Sequence, residues 1–214
     1  VSDASTDRTE KISSRYESAG VKTLRVDGRR GKTSCLNHAV PQAKGEIIIF
    51  SDANSLYHEK VIAEIIKSFA DSTVGCVTGY TRYVSNNADT VVESVGIYSR
   101  LEKITKELES QIASCVGADG AIFAIRKDLY RPLKATDIND LVIPLSIVAQ
   151  GYRTVIEKGA FCFEETANDQ DGEFNRQVRI TNRTLRAIID NRKLMNIFRY
   201  GIFSFELFSH KLIK

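Results

Sequence analysis

Along this chain, short continuous apolar runs alternate with stretches whose apolar residues fall three and four apart. "GEIIIF", residues 45–50, is a run of the first kind, closed by the polar residues Ser51, Asp52 and Asn54; such a run predicts a strand buried on both faces. "HEKVIAEIIKSFA", residues 58–70, is of the second kind: Val61, Ile62, Ile65, Ile66 and Phe69 share one helical face, and "VGCVTGY" then returns as a strand. Before these, "TEKISSRYESAG", residues 9–20, predicts a short exposed helix stopped by Gly20, since glycine takes the left-handed C-cap cheaply. "VKTLRV" predicts a strand, and Gly31 to Gln42 a short helix set off by Gly45 from the strand Glu46 to Phe50.

The same alternation continues downstream. Thr90 to Gln111 predicts a long mixed helix, "GADGAIFAIRKDLY" a glycine turn, a strand and the start of a helix, and "TDINDLVIPLSIVAQGYRTVIE" a helix ending at Gly151 followed by a last strand. Strand and helix in this order predict a mainly parallel sheet with helices on both faces. No repeat or low-complexity segment interrupts it, so residues 1–190 form one domain.

Residues 191–214 follow a different pattern: Ile197, Phe198, Phe203, Phe205, Leu207 and Phe208 are interleaved with Arg199, Tyr200, Lys211 and Lys214. That mixture fits either an amphipathic segment lying at a membrane surface or a cap packed on the domain. No apolar run is long enough to span a bilayer.

Composition narrows the class. The 214 residues are 43% hydrophobic with a formal net charge of +3, enough apolar material for a sizeable core and too mild a charge for a nucleic-acid partner. Cys35, Cys76, Cys115 and Cys162 show no metal or redox spacing and are expected to be buried thiols in a reducing compartment. His38, His58 and His210 are isolated and are expected to be structural.

Several short stretches carry candidate chemistry, each beside a plainer reading. Asp52 and Asn54, two positions apart, would leave extended backbone on one side. Two oxygen donors there suit Mg²⁺, which takes few protein ligands and completes its shell with phosphate and water; a capped turn would use the same residues. Asp3 in "VSDASTD" can accept from a nucleotide base, while Ser5, Thr6 or Asp7 can cap the next helix. "GRRGKTS" lacks the glycine that a phosphate-loop motif requires, because Val26 stands there, although Lys32 in a glycine-rich turn can still meet a phosphate. Asp137, Asn139 and Asp140 in "DINDLVIP" open a helix, where acids favour the dipole and where one can equally serve as a general base. Arg176, Arg179 and Arg183 form a basic stripe, either solvated or able to clamp a diphosphate.

Taken in order, "VSDASTDRT", "GKTSCLNHAV", "GEIIIFSDANS", "GADGAIFAIRKDLY", "INDLVIPLSIVAQGYR" and "RQVR" resemble the successive motifs of family 2 glycosyltransferases, from Val1 to about Arg186. The resemblance implies a GT-A fold, a three-layer α/β arrangement with a mainly parallel central sheet, and an inverting, metal-dependent hexosyltransferase of glycan, polysaccharide or glycolipid synthesis. It also implies roles. Asp3 matches the acid at the nucleotide base, Lys32 lies in the segment lining the nucleotide, and Asp52 and Asn54 fall on the DxD motif that holds Mg²⁺ or Mn²⁺. Asp119 lies where donor sugar and acceptor meet, Asp140 matches the catalytic base, and Arg176, Gln177 and Arg179 match the segment near the diphosphate and acceptor channel.

The implied partners are a UDP- or GDP-sugar donor, a glycan or lipid acceptor, and the cytoplasmic face of a membrane. Three departures stand out: Asn54 replaces the second acid of DxD, "IND" replaces the usual "TED", and Ile180 stands where relatives carry tryptophan. Asn54 also keeps open a degenerate module that binds a nucleotide sugar without turnover. Relatives have a first strand before "VSDAST", so the resemblance further implies a fragment with its N-terminal strand missing, an exposed sheet edge and low stability.

Overall fold

The structure is a computed structural model and describes residues 1–84, 97–165 and 170–213. The chain opens with β1 (Ser2–Asp3), α1 (Thr9–Ser13), β2 (Arg25–Val26), α2 (Lys32–Ala39), β3 (Ile47–Ser51), β4 (Leu56–Tyr57), α3 (Val61–Ser68) and β5 (Val74–Val84). It continues through α4 (Ile97–Ile112), β6 (Ile122–Arg126), α5 (Asn139–Ala149), β7 (Arg153–Glu165) and α6 (Gln170–Asp190). Two short helices, α7 (Ile197–Tyr200) and α8 (Ile202–Phe208), and a π-helical turn at Ser209–Ile213 end it.

After α1 the chain continues as a 3₁₀ helix over Ser14–Ala19, and this helical stretch stops where expected: Gly20 adopts φ +88° and its N–H returns to the Glu17 carbonyl. "VKTLRV" contributes only Arg25 and Val26 as strand, paired in parallel with β1. After β6 the chain makes a single 3₁₀ turn at Lys127–Leu129, where the sequence suggested the start of a helix.

The expected mainly parallel sheet is corrected to a mixed one. Five strands run in the order β3-β6-β5-β7-β4, and only β5 with β7 is parallel; β3–β6, β5–β6 and β4–β7 are antiparallel. Apolar periodicity identifies a strand but not the end at which the chain enters it. The connection through α4 delivers the chain to β6 at the end where β5 leaves, which makes that pair antiparallel. β1 and β2 form a separate two-stranded sheet.

β6 is the centre of the core. Its residues Ile122, Phe123, Ala124 and Ile125 are fully buried, and they alternate between two layers. Phe123 and Ile125 pack with Phe50, Ile143 and Ile147 toward α5, while Ile122 and Ala124 pack with Val61, Ile65 and Phe69 toward α3. Phe50 and Phe123 stack with ring centroids 4.5 Å apart. The four cysteines are buried and free.

A third cluster answers part of the question raised by residues 191–214. Leu194, Phe203 and Leu207 share a core with Leu141, Leu145 and Val148 of α5, so one face of the C-terminal segment caps the domain. The opposite face leaves Phe198 and Phe205 exposed. Among the described residues, no helix is long and apolar enough to cross a membrane.

At the edge of this cluster lies a buried polar group. His210 Nδ1 and Glu109 Oε1 are 2.5 Å apart, joining the C-terminal turn to α4. Glu206 is buried beside them, with Oε2 lacking a hydrogen-bond partner. Burial, reinforced by the neighbouring Glu109 carboxylate, pushes its carboxyl up from 4.5 to about 7. Below pH 4.5 Glu206 is protonated in the folded and unfolded chain alike and contributes no pH dependence. Between there and about pH 7 the unfolded chain ionises first, so stability falls as pH rises and then levels off. Glu206→Gln should therefore stabilise the protein by up to about 3 kcal/mol at pH 8 and hardly at all at pH 4.5. Equal changes in melting temperature at both pH values would refute the burial penalty.

Candidate active site

The candidate residues from the first half of the chain meet at one edge of the fold, through backbone that departs from the regular regions. Gly28, Arg29 and Gly31 all have positive φ, at +91°, +47° and +87°. This left-handed path presents the first turn of α2 toward β1, at a cost that glycine keeps small and arginine does not. Ala4, directly after Asp3, also has φ +51°. The Asp3 carboxylate fills the space between them: Oδ1 accepts the Arg30 N–H and Oδ2 accepts the Gly31 N–H, both at 2.8 Å. Asp3 therefore ties β1 to the start of α2.

Lys32, the first residue of α2, reaches from there to Asp52, its Nζ lying 2.5 Å from Oδ1. Asp52 is beyond the end of β3 and Ser55 N–H returns to its carbonyl at 3.3 Å, so residues 52–55 are a turn. The extended geometry assumed for Asp52 and Asn54 is corrected on this point, because a turn does not alternate its side chains as a strand does. Both residues remain in one four-residue turn, with Asn54 exposed. Among the described residues, Asp52 Oδ2 and the Asn54 side chain are engaged by no hydrogen bond, and no group of three His, Cys, Asp or Glu forms a cage.

Asp140, in the first turn of α5, lies close enough to Lys32 that this ammonium is the main charge stabilising its ionised form; Lys211 and Lys106 act in the same direction. Burial is the larger influence and holds the Asp140 carboxyl above the usual carboxylate range. Oδ1 is buried with no hydrogen-bond partner. The loop before β6 supports the residue from below: Ala118 N–H donates to the Asp140 carbonyl at 2.8 Å. Gly120 approaches so closely that a Cβ there would lie 3.1 Å from Asp140 Oδ2.

Asp119 belongs to the same loop but is already occupied. Oδ2 accepts Thr81 N–H at 2.9 Å, and Oδ1 accepts Thr81 Oγ1 at 2.8 Å and Ala121 N–H at 3.1 Å. Its own N–H donates to Thr78 Oγ1 at 2.7 Å. These bonds make it a brace between β5 and the loop carrying Gly120. Sequence reasoning did not find Thr78, Thr81 or the contact at Gly120; "GADG" signalled a turn, and nothing in the chain around Thr81 pointed to a partner 38 residues away.

Gln177 and Arg179 are exposed on α6. The Arg176 side chain lies outside the described residues.

The mixed sheet with helices on its two faces is a GT-A fold. A family model described as "Glycosyltransferase like family 2" matches residues 1–183, and the chain belongs to that family. No curated protein matches the chain.

Among solved structures, it is similar to the mannosyltransferase PcManGT from Pyrobaculum calidifontis in complex with GDP-Man and Mn²⁺, at 20% identity and a TM-score of 0.75, over 98% of this chain and 59% of that one. It also resembles S. aureus TarS 1–349 in complex with UDP-GlcNAc, at 16% identity and a TM-score of 0.54, over 97% of this chain and 62% of that one. GalNAc-T7 with UDP, GalNAc and Mn²⁺ aligns at 13% identity with a TM-score of 0.59, over 77% of this chain and 36% of that one. The chain thus spans about three-fifths of the length of PcManGT and TarS 1–349, and the likeness is one of fold.

The double acceptor role of Asp3 has a measurable consequence. Asp3→Ala leaves the Arg30 and Gly31 N–H groups without their carboxylate and should cost about 1–2 kcal/mol. An unchanged melting temperature would show that Asp3 does not brace the α2 loop.

Proposed function

We propose that residues 1–190 are the catalytic domain of an inverting glycosyltransferase. In this reading it moves a sugar from a UDP- or GDP-sugar to an acceptor hydroxyl in glycan, polysaccharide or glycolipid synthesis. The observation that carries the reading is the buried, unpartnered Oδ1 of Asp140. A buried carboxylate oxygen normally has a donor, and its lack of one leaves the Asp140 carboxylate, partly exposed as a residue, assigned to the acceptor hydroxyl. Asp140 takes the hydroxyl proton, the freed oxygen attacks the anomeric carbon, and the bond from that carbon to the diphosphate oxygen breaks. Nucleoside diphosphate departs and the configuration inverts. Burial makes Asp140 a stronger base than a solvated aspartate, while Lys32 keeps it ionisable.

The nucleotide lies along Asp3, Lys32 and Asp52, with the Lys32 ammonium offsetting phosphate charge. Asp52 and Asn54 are hard oxygen donors in one turn, and they fit Mg²⁺ or Mn²⁺ as a site of one or two protein ligands. A cation bound there would neutralise charge on the departing diphosphate. Mn²⁺ accompanies GDP-Man in PcManGT and UDP in GalNAc-T7, which supports that assignment. Arg176, Gln177 and Arg179 are assigned to the diphosphate and acceptor side, and Asp119 to the junction of donor sugar and acceptor, where it acts by bracing the loop. Residues 191–214 form an amphipathic segment that rests on the cytoplasmic surface of a membrane.

The test is release of nucleoside diphosphate from UDP- and GDP-sugars with Mn²⁺ by the full-length protein. Asp140→Asn should lower turnover by about 10²- to 10⁴-fold while nucleotide binding persists. For the parent enzyme, the rate should fall as pH drops through a pKa above the ordinary 3.8. Nucleotide binding without release from any donor would overturn the reading in favour of a binding module, with Asn54 as its best argument. Gly120→Ala tests the support from below: displacing Oδ2 by a few tenths of an ångström should reduce turnover about tenfold or more with KM for the donor little changed. An unaltered rate would remove the β6 loop from the positioning of the base.

A further inference from the structure

The polarity of α4 is reversed with respect to the domain it packs on. Several of its charged and polar side chains face the protein. Glu107 accepts from Tyr80 OH and pairs with Lys158, both at 2.7 Å, and Ser110 Oγ accepts the Ile156 N–H at 3.0 Å. Glu109 is buried, accepting the Val116 N–H and meeting His210. The aliphatic residues are on the other side: Leu101, Ile104, Leu108 and Ile112, spaced three and four apart, are each 51–59% exposed. A surface helix of a soluble domain shows the opposite arrangement.

We propose that this outward row of α4 is a membrane-contact surface that works together with the exposed face of α7 and α8, and that its partner is an anionic lipid bilayer. The inference rests on the membrane partner proposed above and extends it to an element of the catalytic domain.

Two observations select a bilayer. The first is the attachment of α4 to the C-terminal segment through the buried Glu109–His210 bond. That segment turns Phe198, Ile202, Phe205 and Phe208 to solvent, with Phe198 100% exposed. Aliphatic and aromatic rows on adjoining elements suit the boundary between headgroups and acyl chains.

The second is charge. Residues 191–214 hold Arg192, Lys193, Arg199, Lys211 and Lys214 against the single acid Glu206, a formal +4, although the whole chain carries only +3. Glu206 is buried, so the C-terminal segment presents little negative charge at its surface. Arg100 adds an exposed basic side chain on α4 itself, whereas the Lys103 ammonium lies over the Tyr80 ring at 4.6 Å. Basic residues beside exposed apolar rows are attracted to anionic lipid at about 1 kcal/mol each, within a Debye length.

The experiment is co-sedimentation of the chain with vesicles of phosphatidylcholine, with and without phosphatidylglycerol. The unsubstituted chain should bind the anionic vesicles, more weakly as salt rises. Leu101→Ser/Leu108→Ser should weaken partitioning about tenfold or more, and Phe198→Ser/Phe205→Ser should do the same. All four positions are exposed, and the melting temperature reports whether the fold is kept. Ile104→Trp supplies a readout that needs no loss of binding, because its emission should move to the blue when anionic vesicles are added.

If the α4 variant binds like the unsubstituted chain, the Ile104→Trp emission does not move, and the Phe198→Ser/Phe205→Ser variant loses binding, the inference for α4 is overturned and the C-terminal membrane reading stands. Failure of the unsubstituted chain to bind either vesicle overturns both. Concentration-dependent dimerisation that disappears in Leu101→Ser/Leu108→Ser, without vesicle binding, would assign the row to a second copy of the chain.

Discussion

β6 has neither a free edge nor a free face, and the rest of the molecule is arranged around that constraint. It is bonded to β3 on one side and β5 on the other, with α3 packed over one face and α5 over the other. A strand so enclosed must be apolar throughout, and its ends must emerge where polar residues can find partners. The loop leading into β6 emerges beside the start of α5. Asp119 holds that loop to β5 through Thr78 and Thr81, Ala118 bonds the Asp140 backbone, and Gly120 leaves room for the Asp140 carboxylate. The burial of the proposed base is thus a consequence of how the central strand is entered.

The opposite side of the site is held by charge and backbone. Asp3 binds two N–H groups of the α2 loop, and Lys32 extends from that loop to Asp52. This pair is partly exposed on both sides, so its contribution to stability is small. Its importance is positional: one ammonium pairs with the turn at Asp52 and also acts on the charge of Asp140. The positive φ values of Ala4 and Arg29 fall in the same place, strain that the Asp3 bonds help to hold.

The C-terminal segment connects this site to the surface of the domain. Its inner face completes a core with α5, the element that carries Asp140, and its last turn bonds α4 through His210 and Glu109. Lys211 contributes to the electrostatics at Asp140. Whatever engages the outer faces of α4 and α8 therefore bears on the elements that surround the proposed base.

Much of this was legible in the chain. The rhythm of residues 45–70 identifies β3 and α3, Gly20 and Gly151 mark helix ends, and the order of "VSDAST", "SDANS", "GADG" and "IND" points to one family because short polar motifs at strand ends are local in sequence. Local patterns also place Asp3, Lys32, Asp52 and Asp140 at the termini of their elements. Other features required the tertiary structure. Strand direction depends on which end of β5 the α4 connection returns to, and apolar periodicity carries no such information. The engagement of Asp119 by Thr81, the closeness of Gly120 to Asp140, and the outward turn of the aliphatic row on α4 all join residues distant in sequence. For α4, periodicity identifies an amphipathic helix but not which face is inside. That was decided by Tyr80, Lys158 and His210, which offer hydrogen bonds and opposite charge to its polar side, and so leave its apolar side to the solvent.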